Sequence, residues 1–275
     1  MKFIGELLYN IIYDFLFYAY VRFCGLEPLG TSRLRTGSAV DCDEPSGRTQ
    51  SGDVPPGDVP PSDVPPGGTG AGVADIIVVR TGSANFYIYS KGTYSVVIDS
   101  GFGIPVIKRE LKSLSVDPGR VSAVLLTHSD FDHTGGISLF HNATVYLSHN
   151  EEQMITKKTS RKYRIVYNGR IKGKYTLLRD DSEITIGPIH IRAIETPGHT
   201  PGSMSYLLDG AVLFTGDAFR ILKGKVQPIG PFFNMDQNTH IESIKKVAQL
   251  KNIQLLLTGH RGYSSAFEDA MEHWK

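Results

Sequence analysis

The run Thr127-His128-Ser129-Asp130-Phe131-Asp132-His133-Thr134-Gly135-Gly136 places two imidazoles and two carboxylates within six residues. Such groups are rarely buried unless they are paired or coordinate a cation. The run follows Val121-Ser122-Ala123-Val124-Leu125-Leu126, a short, branched, uncharged stretch that reads as a buried strand. Four potential ligands at the carboxyl end of a strand point to metal coordination. Gly135-Gly136 lets the chain turn again before a helix.

A metal centre draws its ligands from several loops on one face. The alternating stretch Ile189–Ile194 leads into Glu195-Thr196-Pro197-Gly198-His199-Thr200-Pro201-Gly202, where two Pro-Gly pairs bracket and present His199. Ala211–Phe214 precedes Thr215-Gly216-Asp217, and Ile253–Leu257 precedes Thr258-Gly259-His260. The pattern repeats: apolar strand, small residue, one donor. Seven candidate ligands result: His128, Asp130, Asp132, His133, His199, Asp217 and His260. Any one alone would read as a surface, core or turn residue; their recurrence outweighs that reading. His141, His149, His190, His240 and His273 fit no such pattern and read as structural or exposed. Phe232, Asn234, Arg261 and Tyr263 lie near the site loops in sequence and are candidates to line a pocket, but no substrate contact is assigned.

In this order the motifs resemble those of the metallo-β-lactamase fold superfamily. Its usual first motif is His-x-His-x-Asp-His, followed by a lone His, a lone Asp and a lone His on separate loops. Here the series is His128-x-Asp130-x-Asp132-His133, then His199, Asp217 and His260. Val96-Val97-Ile98-Asp99-Ser100-Gly101 resembles the early strand ending in Asp-x-Gly, which implies that Asp99 supports the site from behind its ligands. The resemblance covers residues 74–275 and implies an α+β fold, a four-layer αββα sandwich. It also implies two divalent metal ions, zinc first, with iron or manganese as alternatives. By analogy His128, Asp130 and His199 take one ion, Asp132, His133 and His260 the other, and Asp217 bridges. The implied reaction is hydrolysis, in which a metal-bound hydroxide attacks a carbonyl (lactone, thioester, β-lactam) or a phosphoester, with Asp132 as the catalytic carboxylate.

Asp130 departs from the pattern, since it stands where the second His is usual. Carboxylate is the harder ligand, so three readings stand open: an ordinary zinc ligand, a shift towards iron or manganese, or a site that has lost one metal. Flavodiiron proteins of the same superfamily carry Glu here, which makes a di-iron redox protein one alternative. A flavodoxin-like module is missing from the sequence and weighs against it. A non-catalytic metal-binding module is the other alternative.

The elements that must position these groups are legible in outline. Ile76–Arg80, Ala84–Tyr89 and Tyr94–Ile98 read as an antiparallel meander, and Ile104–Leu114 and Thr239–Lys251 as helices with one apolar face. Val145–Ser148 reads as a strand and Ala266–Trp274 as a terminal helix. Residues 151–180 form a basic insert with nine positive groups against three negative. A helix from about Asn150 and a strand pair near Tyr163–Val166 and Tyr175–Leu178 are expected there. Its charge could attract an anionic small-molecule substrate or simply form a solvated face.

The 275 residues carry a net charge of +1, which argues for no nucleic-acid partner. Cys24 and Cys42 lie outside the site motifs, so neither a disulfide framework nor a cysteine-based zinc knuckle is expected, and a reducing cytoplasm is the easier fit. Residues 1–29 read as an apolar amphipathic helix. Residues 3–23 are rich in aromatics, while Glu6, Asn10 and Asp14 give a narrow polar stripe suited to a membrane surface or a partner. The repeat Asp53-Val54-Pro55-Pro56, Asp58-Val59-Pro60-Pro61, Asp63-Val64-Pro65-Pro66 marks residues 30–73 as a disordered linker. Residues 74–275 then form the catalytic domain. Self-association into a homo-oligomer stays open.

Overall fold

A computed structural model describes residues 32–35, 74–82, 84–161, 171, 173–260 and 262–275. Strands β2 (Asp75–Arg80), β3 (Asn85–Lys91) and β4 (Tyr94–Ile98) form the expected meander, with Ile77 opposite Ile88 and Ile88 opposite Val97. Their residues are apolar on both faces because both faces are covered. Ile76, Val78, Tyr87, Tyr89, Val96 and Ile98 point into one core, and Ile77, Val79, Phe86, Ile88 and Val97 into another. Such double coverage gives near-continuous apolar runs in place of clean alternation. β1 (Ser32–Arg35) adds at the edge by pairing antiparallel with β2. Four residues of the expected linker are thus strand, because the open edge of β2 offers backbone donors and acceptors to any extended neighbour. The rest of the linker and the amino-terminal helix lie outside the described residues.

Helix α1 (Ile104–Ser113) begins at Gly103, has Pro105 in its first turn, and buries Ile107 and Leu111, four residues apart. It carries the chain across the sheet to β5 (Ala123–Leu125), which lies parallel to β4. The short helix α2 (Phe131–Thr134) follows, then β6 (Thr144–Ser148), helix α3 (Glu152–Ile155) and β7 (Tyr175–Leu178). β7 pairs in parallel with β6; its expected partner near 163–166 lies outside the described residues. The first sheet therefore runs β1-β2-β3-β4-β5-β6-β7.

The second sheet comprises β8 (Glu183–Ile186), β9 (Ile189–Glu195), β10 (Met204–Leu208) and β11 (Val212–Phe214), with the small hairpin β12 (Arg220–Leu222) and β13 (Lys225–Gln227) emerging beyond them. Helix α4 (Gln237–Ala248) comes next, capped by the Asp236 carboxylate, which accepts from the backbone N–H groups of Asn238 and Thr239. β14 (Leu255–Leu257), β15 (Tyr263–Ser264) and helix α5 (Phe267–Ala270) complete the series. The sheet order is β15-β14-β11-β10-β9-β8. The expected terminal helix is shorter, because Met271 leaves helical geometry and only a 3-10 turn, Glu272–Trp274, continues.

The two sheets face each other across a core that includes Tyr87, Tyr89, Tyr206 and Phe214. Burying each such ring contributes about 1.5–3 kcal/mol. Outside the first sheet, Ile107 and Leu111 of α1 pack on Val97, Val124 and Leu126. Outside the second, Ile244, Val247 and Ala248 of α4 pack on Leu213 and Leu256. Helix, sheet, sheet, helix gives the four-layer αββα sandwich. Hydrogen bonds lock the sheets in register at the end where the ligand loops emerge. Tyr206 Oη donates to Leu126 O at 2.8 Å, Met204 N to Thr127 O at 2.8 Å, and Tyr87 Oη to Thr258 O at 2.6 Å. No helix among the described residues is long and apolar enough to cross a membrane.

Candidate metal centre

All seven candidate ligands meet at that edge. His128, Asp130, Asp132 and His133 come from the turn after β5, His199 from the loop after β9, Asp217 from the turn after β11 and His260 from the turn after β14. Six of them are buried, and His260 is partly exposed. Asp130 Oδ2 stands 3.5 Å from His128 Nε2 and 3.4 Å from His199 Nε2. Asp132 Oδ2 stands 3.9 Å from His133 Nε2 and 3.7 Å from His260 Nε2. Asp217 lies between, with Oδ2 at 3.4 Å from His199 Nε2 and 3.1 Å from His260 Nε2, and Oδ1 at 3.5 Å from His133 Nε2. Glycine makes this crowding feasible. A Cβ on Gly259 would lie 2.5 Å from Asp217 Oδ1, and one on Gly216, whose φ is +49°, would lie 2.3 Å from Thr127 Oγ1.

The imidazoles are oriented from behind. Asp99 accepts from the Thr127 backbone N–H at 2.8 Å and from Thr127 Oγ1. Its Oδ2 also accepts a hydrogen bond from His133 Nδ1 at 2.8 Å. Because the Thr127 hydroxyl donates to Asp99, it accepts from His128 Nδ1, 3.0 Å away. Asn234 Nδ2 donates to Ile229 O and Gln237 Oε1, so its Oδ1 accepts from His199 Nδ1 at 3.2 Å. In each ring Nδ1 is spent as a donor, and Nε2 faces the cluster. Asn234, expected near a pocket wall, is instead buried behind His199. Phe232, Phe233 and Tyr263 are exposed, and Arg261 lies outside the described residues. Of the histidines that fit no pattern, His141, His190 and His273 are exposed, whereas His240 is buried behind the loop that carries His199.

Do these groups suit a metal? His128 Nε2, Asp130 Oδ1 and Asp217 Oδ1 are buried without a hydrogen-bond partner, a costly state for atoms with nothing to bind. Three triads each bring one donor atom per residue within 4.8 Å of the others: His128, Asp130 and His199; Asp132, His133 and His260; and His128, His133 and Asp217. Two bonds of about 2.1 Å meeting at a tetrahedral angle set donors roughly 3.4 Å apart, close to the spacings seen here. Imidazole and carboxylate donors suit divalent zinc, iron or manganese. The residues fit.

Two site residues carry no signal in the sequence. Glu151 and Arg161 both fall in the basic insert, yet both are buried. Glu151 accepts from Ser129 N at 2.8 Å, Ser129 Oγ at 2.6 Å, Thr200 Oγ1 at 2.7 Å and Gly202 N at 3.1 Å. It pins the first ligand turn to the loop that carries His199. Arg161 Nη2 lies 2.9 Å from Asp130 Oδ2. The insert is thus not simply a solvated face, although Lys157 and Lys158 are exposed.

Charge is tightly coupled. Burial opposes protonation of His133, but Asp99, Asp217 and Asp132 outweigh it and lift the imidazole to about 10. Burial likewise opposes protonation of His260, and Asp217 and Asp132 raise it to about 9. Burial opposes ionisation of Asp130, yet Arg161 first, then His128 and His199, hold it far below the usual carboxylate range. His199 is held low by burial and by Arg161. A prediction follows for the metal-free protein. Both imidazoles are biased towards the protonated form, and a metal takes only the neutral form. Metal uptake is therefore expected to release protons at pH 7, and affinity to climb as pH rises towards 9–10. Calorimetry in buffers of different ionisation enthalpy reads the proton count; a count of zero would contradict it.

Two apolar sheets between helices, with His and Asp donors converging where the loops emerge, define a metal-binding αββα sandwich. The chain belongs to the metallo-beta-lactamase superfamily, whose profile matches residues 79–260, and its enzyme class is metallo-hydrolase. It is 30% identical over 185 residues to the "Probable metallo-hydrolase YqgX" of Bacillus subtilis, covering 64% of this chain and 84% of that protein. It is 25% identical over 196 residues to an N-acyl homoserine lactonase of a Bacillus species, covering 67% and 76% respectively. Among solved structures, the BLEG-1 B3 metallo-beta-lactamase matches with a TM-score of 0.54 and 26% identity, over 68% of this chain and 90% of that one.

Proposed function

We propose that this protein is a metal-dependent hydrolase that attacks a carbonyl, with lactones the first class to test and thioesters and β-lactams next, or else a phosphoester. The observation that carries the reading is the convergence of seven buried or half-buried His and Asp donors, three of whose atoms are buried without a hydrogen-bond partner. Similarity to a lactonase supports the choice of lactones. Zinc is the proposed metal, with iron and manganese as alternatives. His128, Asp130 and His199 would form one donor set, Asp132, His133 and His260 another, and Asp217 would serve both.

A bound divalent ion would supply a Lewis acid and bring the pKa of water down towards about 7. The chain's own groups do the rest. Asp99 keeps His133 fixed through Nδ1, as Asn234 does for His199. Asp132 Oδ2, between His133 and His260, is the proposed acceptor of the attacking water's proton. The redox alternative rested on the carboxylate at 130 alone, and Arg161 now accounts for that charge.

The test is turnover by protein purified without chelators, on one substrate from each of the four classes. Turnover of at least one class is expected to vanish on chelation and return with added zinc. Hydrolysis that survives exhaustive chelation overturns the proposal, and so does metal-loaded protein that turns over none of the four.

A further inference from the structure

Arginine is almost never buried without a partner, and Arg161 is only 9% exposed. Its partners are the surprise. Nη2 lies 2.9 Å from Asp130 Oδ2 and 3.2 Å from His199 Nε2, and Nη1 donates to His199 O at 2.5 Å. His199 Nδ1 already donates to Asn234 Oδ1. The neutral ring therefore has one lone pair, at Nε2, and the guanidinium donates to it. Arginine offers only donors and does not lose its proton. It occupies the single His199 Nε2 lone pair and faces Asp130 Oδ2, leaving Asp130 Oδ1 without a hydrogen-bond partner.

The two halves of the site differ on this point. Among the described residues Asp217 ion-pairs with imidazoles alone, those of His133, His199 and His260. The guanidinium on Asp130 is a fixed positive charge with donors only. A divalent ion bonded at about 2 Å to Asp130 Oδ2 and His199 Nε2 would lie no more than about 3.6 Å from Nη2. Two like charges that close repel inside a protein. Ion and guanidinium also compete for the one lone pair of His199 Nε2.

We propose that Arg161 is a built-in cation standing in for one metal ion, so that the enzyme holds a single tight ion on Asp132, His133, Asp217 and His260. This rests on the metal-dependent reading of the site. Asp130 and Arg161 then explain each other. A carboxylate pairs with a fixed guanidinium, whereas an imidazole at position 130 would not. The substrate side of the site faces one exchangeable ion and one tethered positive charge that chelators cannot strip.

The experiment is metal stoichiometry in the full chain. Stripped protein is titrated with cobalt(II), followed by its visible ligand-field absorption and by bound metal after equilibrium dialysis. Wild type is expected to saturate at one equivalent, and Arg161→Ala at two. Arg161→Ala leaves Asp130 buried without its counter-charge and could fail to fold. The double variant Asp130→His/Arg161→Ala removes that charge, is also expected to take two equivalents, and decides alone if the single variant does not fold. Two tight equivalents in wild type would overturn the proposal and leave the hydrolase reading standing. One equivalent in wild type and in the folded variants would also overturn it, since Arg161 would not be what limits loading. No metal in any of them would remove both readings together.

Discussion

Asp217→Asn is expected to cut hydrolytic turnover by roughly a thousandfold or more, equivalent to about 4 kcal/mol of lost transition-state stabilisation. The substitution keeps side-chain volume and removes one charge. That charge is the common neighbour of His133, His199 and His260. The His133 and His260 rings are raised in part by it, and it ion-pairs with donors from all three of the other candidate ligand loops. Metal affinity should fall with turnover, because the amide is a poorer ligand than the carboxylate it replaces. The fold should survive, since Asp217 sits on a loop and the sheets pack beneath it. Steady-state kinetics at saturating metal, with circular dichroism as a check on folding, provide the measurement. A variant within tenfold of wild type would remove Asp217 from the site.

Glu151→Ala is expected to destabilise the protein by about 3–5 kcal/mol, more than any exposed charge in the same insert would. The carboxylate is fully buried and accepts four hydrogen bonds, two from Ser129, one from Thr200 and one from Gly202. Removing it leaves four donors facing one another in a dry space. Nothing nearby can fill the gap, because Gly202 already packs so closely that a Cβ there would fall 2.0 Å from Glu151 N. The same variant should bind metal more weakly, since Glu151 ties the His128 turn to the His199 loop. Urea unfolding measures the first effect and cobalt titration the second. A loss of stability below about 1 kcal/mol would show that the carboxylate is not a structural pin.

The candidate donors stood out because Asp217 and His260 each follow an apolar run and a Thr-Gly pair, and His128 an apolar run and Thr127, an arrangement with few packing explanations. The layers were legible because a doubly covered sheet needs apolar residues in succession, as in Ile76–Val79. Arg161 and Glu151 were not, for a physical reason. In the sequence they are two charges among many in residues 151–180, and charge at high local density predicts exposure. What singles them out is burial against loops nearly forty and fifty residues further on. β10 was also missed. Met204–Leu208 is buried along its whole length, so it lacks the alternation that marks a half-exposed strand. Asn234 was placed near the site for its position in the chain, but only the folded structure shows that its amide faces His199 from behind.

The bonds from Asn85 N to Gly259 O, at 2.7 Å, and from Asn85 Nδ2 to His260 O, at 3.2 Å, join the first hairpin to the last ligand turn. Tyr87 reinforces them through Thr258. Translation delivers the hairpin some 170 residues before its partner. A nascent chain on the ribosome can therefore shape its first sheet early, since folding proceeds from the amino terminus, while the candidate ligand His260 has yet to be synthesised. Competence for chemistry arrives late and all at once, when the closing turn reaches the strand that has been waiting for it.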